Sequence, residues 1–180
     1  MRGNLKWVPR EKMMNDNVNS KEENKRIMVA GSVDAGKTTL IKALFHEGPV
    51  SMKKDKTQSM RYETNAIDTP GEFTASPFMK GALFATALEA DLILFLQDST
   101  SDFVQFPPGF ATGFPRRSVG VVTKVDSEKA NVERAKGIIR NVCCSDPQNI
   151  FCVSAKTGEG IAELKAYIDE KFQDNVRYRD

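Results

Sequence analysis

The stretch AGSVDAGKTTL, residues 30–40, begins on the last residue of the short apolar run RIMVA at residues 26–30. From Gly31 to Thr38 its spacing is G-x-x-x-x-G-K-T, the pattern of a loop that cradles phosphate. Such a loop needs a strand before it and a helix after it, and RIMVA followed by KTTLIKALF supplies both. Gly31 and Gly36 let the backbone turn. Backbone N–H groups along Gly31, Ser32, Val33, Asp34, Ala35 and Gly36 can then meet phosphate oxygens at a helix N-terminus. Lys37 supplies a cation to the β- and γ-phosphates, the Thr38 hydroxyl is suited to Mg2+, and Thr39 is a further candidate for nucleotide binding.

The rest of the chain is ordinary for a soluble globular domain. It has 180 residues, 40% of them hydrophobic and 28% charged, enough for one good core. The net charge of +2 is too small to point to nucleic acid or an anionic membrane as a partner. Cys143, Cys144 and Cys152 lack the spacing of a zinc site and read as reduced thiols. The most apolar long window, PFMKGALFATALEADLILFL, contains Lys80, Glu89 and Asp91, so a helix followed by a strand explains it better than a membrane span. With no apolar signal core in residues 1–24, a cytoplasmic location is expected.

Residues 1–24 are rich in Asn, Lys and Glu and read as a flexible extension, 25–174 as one domain, and 175–180 as a tail. Strands are expected at 26–30, 64–68, 91–96, 118–123 and 149–154, each nearly continuously hydrophobic as strands buried on both faces require. Helices are expected at about 37–46, 77–90, 127–142 and 159–173, and FPPGFATGF at 106–114 should form an irregular crossover. Strands alternating with helices predict a three-layer α/β/α domain around a mostly parallel sheet.

Three further motifs fall at predicted strand ends. In IDTPGE (67–72), Asp68 can hold Mg2+ through water and the Gly71 N–H can sense a γ-phosphate. Alone, the same four residues DTPG would make an ordinary turn. In VVTKVD (121–126), the Asp126 carboxylate can accept two hydrogen bonds from guanine, which adenine cannot offer. Thr123 opens this motif, and the Lys124 stem can flank the base. In VSAKTG (153–158), Ser154 precedes Ala155, whose N–H can donate to the guanine O6, and the Lys156 stem can cover the other side. Ligands bind at this edge of open α/β sheets.

Taken together, the four motifs resemble those of the P-loop GTPases. The stretches KTQ (56–58) and IDTPGEF (67–73), with a short connection between them, look like the EutP/PduV family. Those small proteins are encoded with ethanolamine or propanediol utilisation systems of bacterial microcompartments. The resemblance covers about residues 26–172. It implies a P-loop GTPase-like fold, GTP or GDP with Mg2+ as cofactors, and Thr57 as a switch threonine reaching Mg2+ and the γ-phosphate. A plain polar loop is the alternative reading of KDKTQS.

Lys37, Thr57 and Glu72 are the candidate catalytic residues; Thr38, Thr57 and Asp68 are the candidate metal ligands. Glu72 stands where many GTPases carry Gln or His to orient water, and Val33 leaves little room for an arginine finger, so slow hydrolysis is expected. The function expected is Mg2+-dependent GTP binding with slow GTPase activity, linked by the resemblance to a microcompartment. The alternatives are a nucleotide-dependent, acetate kinase-like phosphotransferase and a non-hydrolysing scaffold. Leu5, Trp7 and Val8 in the basic start of the extension could contact a shell or enzyme partner, and a plain disordered tail is the alternative. His46 ends the first helix, where the dipole favours a cation.

Overall fold

The computed structural model describes residues 26–45, 66–69, 80–143 and 149–177. Five strands are present among them: β1 Ile27–Ala30, β2 Ala66–Asp68, β3 Leu92–Asp98, β4 Arg117–Thr123 and β5 Ile150–Cys152. They form one sheet in the order β2-β1-β3-β4-β5, and every described pair is parallel. The helices are α1 Lys37–Phe45, α2 Lys80–Leu88, α3 Val132–Cys143 and α4 Ile161–Arg177.

Alternation along the strands sorts the core into two halves. Met28, Ala30, Ile93, Phe95 and Val122 face one way, against Leu83 and Ala87 of α2 and Ala135, Ile139 and Val142 of α3. Ile27, Val29, Leu92, Leu94, Leu96, Val119 and Val121 face the other way, against Leu40 and Leu44 of α1 and Leu164, Ile168 and Phe172 of α4. The three layers expected from the sequence are therefore present, with a core on each side of the sheet.

The element bounds depart from expectation where polar residues are buried or caps intervene. β3 runs on past Leu96, because Gln97 and Asp98 are buried and continue its register with β4. α3 begins only at Val132: residues 127–131 form a turn, and Asn131 Oδ1 caps the helix by accepting the Arg134 N–H at 3.1 Å. β2 and β5 are edge strands and only half-buried, unlike the doubly covered β3. In the irregular crossover a 3-10 turn at Phe110–Gly113 lets Phe106, Phe110 and Phe114 surround Phe95, the Phe106 ring edge-on at 5.1 Å.

Candidate functional site

Because the strands are parallel, the C-terminal ends of β1, β2, β4 and β5 lie at one edge of the sheet. The loop after β1 must pass directly beneath β3. A Cβ on Gly31 would lie 3.0 Å from the Leu96 Cβ and 3.3 Å from its carbonyl oxygen, so any larger residue would push β3 or the loop aside by a few tenths of an ångström. Asp34 (φ 62°) and Gly36 (φ 88°) take left-handed conformations that turn the chain into α1. The Ala35 N–H donates to the Ser32 carbonyl at 3.2 Å and closes the turn. Lys37 is 9% exposed and folds back over this loop, its Nζ donating to the Ser32 carbonyl at 2.7 Å and the Gly31 carbonyl at 3.2 Å.

One residue on, the Thr38 hydroxyl donates to Asp68 Oδ2 at 2.6 Å. Asp68 is the last residue of β2 and is held in register beside Val29. The next residue, Thr69, fixes that strand end by donating its hydroxyl to the Val29 carbonyl at 2.8 Å. Two exposed hard oxygen groups thus meet at the mouth of the loop.

On the far side of the loop lies a cavity of about 220 Å³. Gly36, Thr39 and Leu40 form its floor, Thr123, Lys124, Asp126 and Ser127 one wall, and Val153, Ala155 and Lys156 the other. Asp126 is exposed, and among the described residues nothing pairs with its carboxylate. Lys124 adopts φ 59°, a left-handed conformation for a residue with a side chain, and its Nζ donates to Asp98 Oδ2 at 2.7 Å. Burial alone would raise the Asp98 carboxyl, but hydrogen bonds from Lys124 and Thr100 outweigh it and hold the group below the usual carboxylate range.

Residues 24–170 match the family described as "PduV-EutP: Ethanolamine utilisation - propanediol utilisation". The chain belongs to the PduV-EutP family. It is 31% identical over 147 residues to the propanediol utilization protein PduV of Citrobacter freundii, covering 82% of this chain and 95% of that one. It is 29% identical over 146 residues to the probable acetate kinase EutP of Escherichia coli, covering 80% and 89%. Among solved structures it resembles a probable GTP-binding protein engB, with TM-score 0.53, 19% identity, and 83% and 99% of the two chains covered. The FeoB G-domain of Methanococcus jannaschii gives TM-score 0.51 at 20% identity, covering 83% and 97%. At such identities these likenesses establish the fold, that of a P-loop GTPase domain.

In this PduV-EutP member the residues named from sequence separate into groups. Gly36, Lys37, Thr38 and Thr39 lie together at the start of α1, and Gly36 and Thr39 border the cavity that Thr123, Lys124, Asp126, Ala155 and Lys156 also line. Ser32, Val33 and Asp34 form the outer arch of the loop and do not line the cavity, and Val33 is exposed. Ser154 is fully buried and shapes the turn: its hydroxyl accepts the Thr157 N–H at 3.1 Å. Thr57, Gly71, Glu72, His46 and residues 1–24 lie outside the described residues.

Two features escaped the motif reading. Asp98 and Ser99 look like an ordinary strand end in DST, yet both are buried against the Lys124 loop. Gly160, at φ 69°, is a site where any Cβ would collide with the Cys152 carbonyl oxygen. A glycine four residues past the SAK triplet is the signal in the sequence for it.

Proposed function

We propose that this chain is a Mg2+-dependent GTP-binding protein that hydrolyses GTP slowly and serves ethanolamine or propanediol utilisation. One observation carries the reading: Asp126, whose carboxylate has no partner among the described residues, lines one cavity with Gly36, the residue directly before Lys37. Asp126 would accept two hydrogen bonds from guanine, while the stems of Lys124 and Lys156 cover its faces. On binding, phosphate oxygens would take the place of the carbonyls that now hold the Lys37 ammonium. The hydroxyl of Thr38 and the carboxylate of Asp68 form a hard-oxygen pair whose chemistry fits Mg2+. Mg2+ when bound would neutralise charge on the phosphates. Thr57 is proposed to reach the same ion, the Gly71 N–H to sense the γ-phosphate, and Glu72 to face the attacking water. An ionised Glu72 only accepts hydrogen bonds and repels the polyphosphate, so a single-turnover rate of about 10⁻⁴ to 10⁻² s⁻¹ is expected.

The family supports a place in these catabolic systems, and residues 1–24 are proposed to recruit the domain to a microcompartment shell or enzyme. A second reading is supported by the name of the Escherichia coli relative, a probable acetate kinase. Under it the same loop would donate a γ-phosphoryl group to acetate. In a third reading the chain is a scaffold that binds nucleotide without hydrolysing it. Incubation with γ-labelled GTP or ATP, with and without acetate, separates the three. Free phosphate from GTP alone supports the GTPase, acetyl phosphate supports the kinase, and unchanged bound nucleotide supports the scaffold.

A further inference from the structure

The end of β3 is built into the wall of the cavity without lining it. Asp98 pairs in register with Thr123, is 7% exposed, and has both carboxylate oxygens engaged. Oδ2 accepts Lys124 Nζ at 2.7 Å, and Oδ1 accepts the Thr100 N–H at 2.8 Å and its hydroxyl at 2.7 Å. Ser99, fully buried, works on the same loop from the other side. Its hydroxyl donates to the Lys124 carbonyl at 3.0 Å, and its N–H donates to the Thr123 carbonyl at 3.1 Å. Its own carbonyl accepts the Asn131 N–H at 2.8 Å and an Arg134 guanidinium N–H at 3.2 Å. Arg134 in turn pairs with Asp102. The loop carrying Lys124 and Asp126 is thus clamped from residues 98–102, at a point where Lys124 itself holds a left-handed backbone.

We propose that Asp98 is a positioning residue for base selection: it holds the Lys124 ammonium away from Asp126, leaving the Asp126 carboxylate free for its ligand. The inference rests on the guanine-nucleotide reading above. The physical argument is competition between carboxylates. Lys124 is 39% exposed and sits on a flexible stem, so without Asp98 its ammonium must find another anion or water. Asp126, two residues along the same loop, is the unpaired carboxylate on that wall. An ammonium bound there would occupy the acceptor oxygens that guanine needs, whereas an adenine base makes no use of them. Loss of Asp98 should therefore erode selectivity between bases and not merely weaken all binding.

The test is titration of GDP, IDP and ADP into the full chain, its Asp98→Asn and Lys124→Met variants, and the double variant. Asp98→Asn is expected to weaken GDP by about tenfold, the scale of losing one charge-assisted contact, with ADP changed less than about twofold. IDP, which lacks the 2-amino group, should fall less than GDP. In the Lys124→Met background the same Asp98→Asn change should alter GDP affinity less than about twofold, because no ammonium remains to misplace. Equal losses for GDP and ADP, or an undiminished effect in the Lys124→Met background, would overturn the positioning role while the guanine reading stands. A wild-type chain with no preference for GDP over ADP overturns both. If Asp98→Asn fails to fold in a thermal melt, Asp98→Glu carries the test: its longer arm shifts Lys124 and should lower the GDP preference, and an unchanged preference overturns the proposal.

Discussion

The Thr123 hydroxyl donates to the Ala35 carbonyl at 2.8 Å, joining residues 88 positions apart in sequence. Thr123 ends β4 and opens the loop bearing Asp126; Ala35 lies in the phosphate-type loop. Both residues are buried, so the bond is shielded from water and fixes one half of the site against the other.

Replacing Thr123 with Val keeps the shape and removes the donor. The buried Ala35 carbonyl then loses this partner, at about 1–3 kcal/mol. Differential scanning calorimetry should show a melting temperature lower by several degrees, at about 2–4 °C per kcal/mol for a chain of this size. GDP affinity should fall as well, because the two halves no longer share one geometry. A variant with an unchanged melting point would show that water replaces the hydroxyl.

Asp126→Asn changes the proposed base-facing acceptor into a group that also donates. Xanthine offers a carbonyl where guanine has its 2-amino group, so the variant should gain affinity for xanthine nucleotide. For GDP it should lose about 2–4 kcal/mol, the scale of unpairing buried polar groups in a site built to bond them. Calorimetric titration with GDP, xanthosine diphosphate and ADP measures this directly. Equal affinities of the wild type for GDP and ADP would defeat the guanine assignment.

The sequence made the site legible wherever chemistry and spacing coincide. Gly31, Gly36, Lys37 and Thr38 announce their loop because few other uses need two glycines and a lysine at that spacing between a strand and a helix. The order of the strands in the sheet was not readable, since parallel strands are linked by helices and their neighbours are chosen by packing. Asp98 stayed hidden for a different reason. One carboxylate at a strand end has many ordinary explanations, and only its partner Lys124, 26 residues away, distinguishes it. The start of α3 was misplaced because Ser127 and Asn131 compete as caps, and turn bonds such as Ala130 N–H to the Ser127 carbonyl at 2.9 Å decide for Asn131.

Lys37 and Thr38 should be separable by thermal shift. Thr38→Ala removes one exposed hydrogen bond to Asp68, so the ligand-free melting temperature should hardly move. Lys37→Ala also releases the Gly31 and Ser32 carbonyls in a buried setting, so its ligand-free form should melt earlier. In both variants GTP with Mg2+ should give little or no stabilisation, since the gain follows the occupied fraction of the folded state. Full stabilisation of either by GTP and Mg2+ would contradict the proposed phosphate and metal site.

The Asp98–Lys124 pair should leave a mark on stability as a function of pH. Burial raises the Asp98 carboxyl, but the hydrogen bonds from Lys124 and Thr100 and the nearby Lys124 charge outweigh it, so the folded value lies below the ordinary one. A carboxyl lowered in the folded state binds fewer protons there than in the unfolded chain. Its stabilising contribution is therefore fully present above the unfolded value and is lost as pH falls through the folded one. Asp98→Asn keeps the size of the side chain but cannot accept the ammonium as a charged partner. Lys124 is partly exposed and can return to water, which limits the loss to about 1–3 kcal/mol at pH 7. Urea unfolding of wild type and Asp98→Asn at several pH values gives the difference directly. It should be constant from pH 7 to about pH 5 and shrink below about pH 4, where the wild-type carboxyl begins to protonate in the unfolded chain. A difference that grows toward acid would mean burial dominates and that Asp98 is held above its ordinary value, reversing the sign of its contribution.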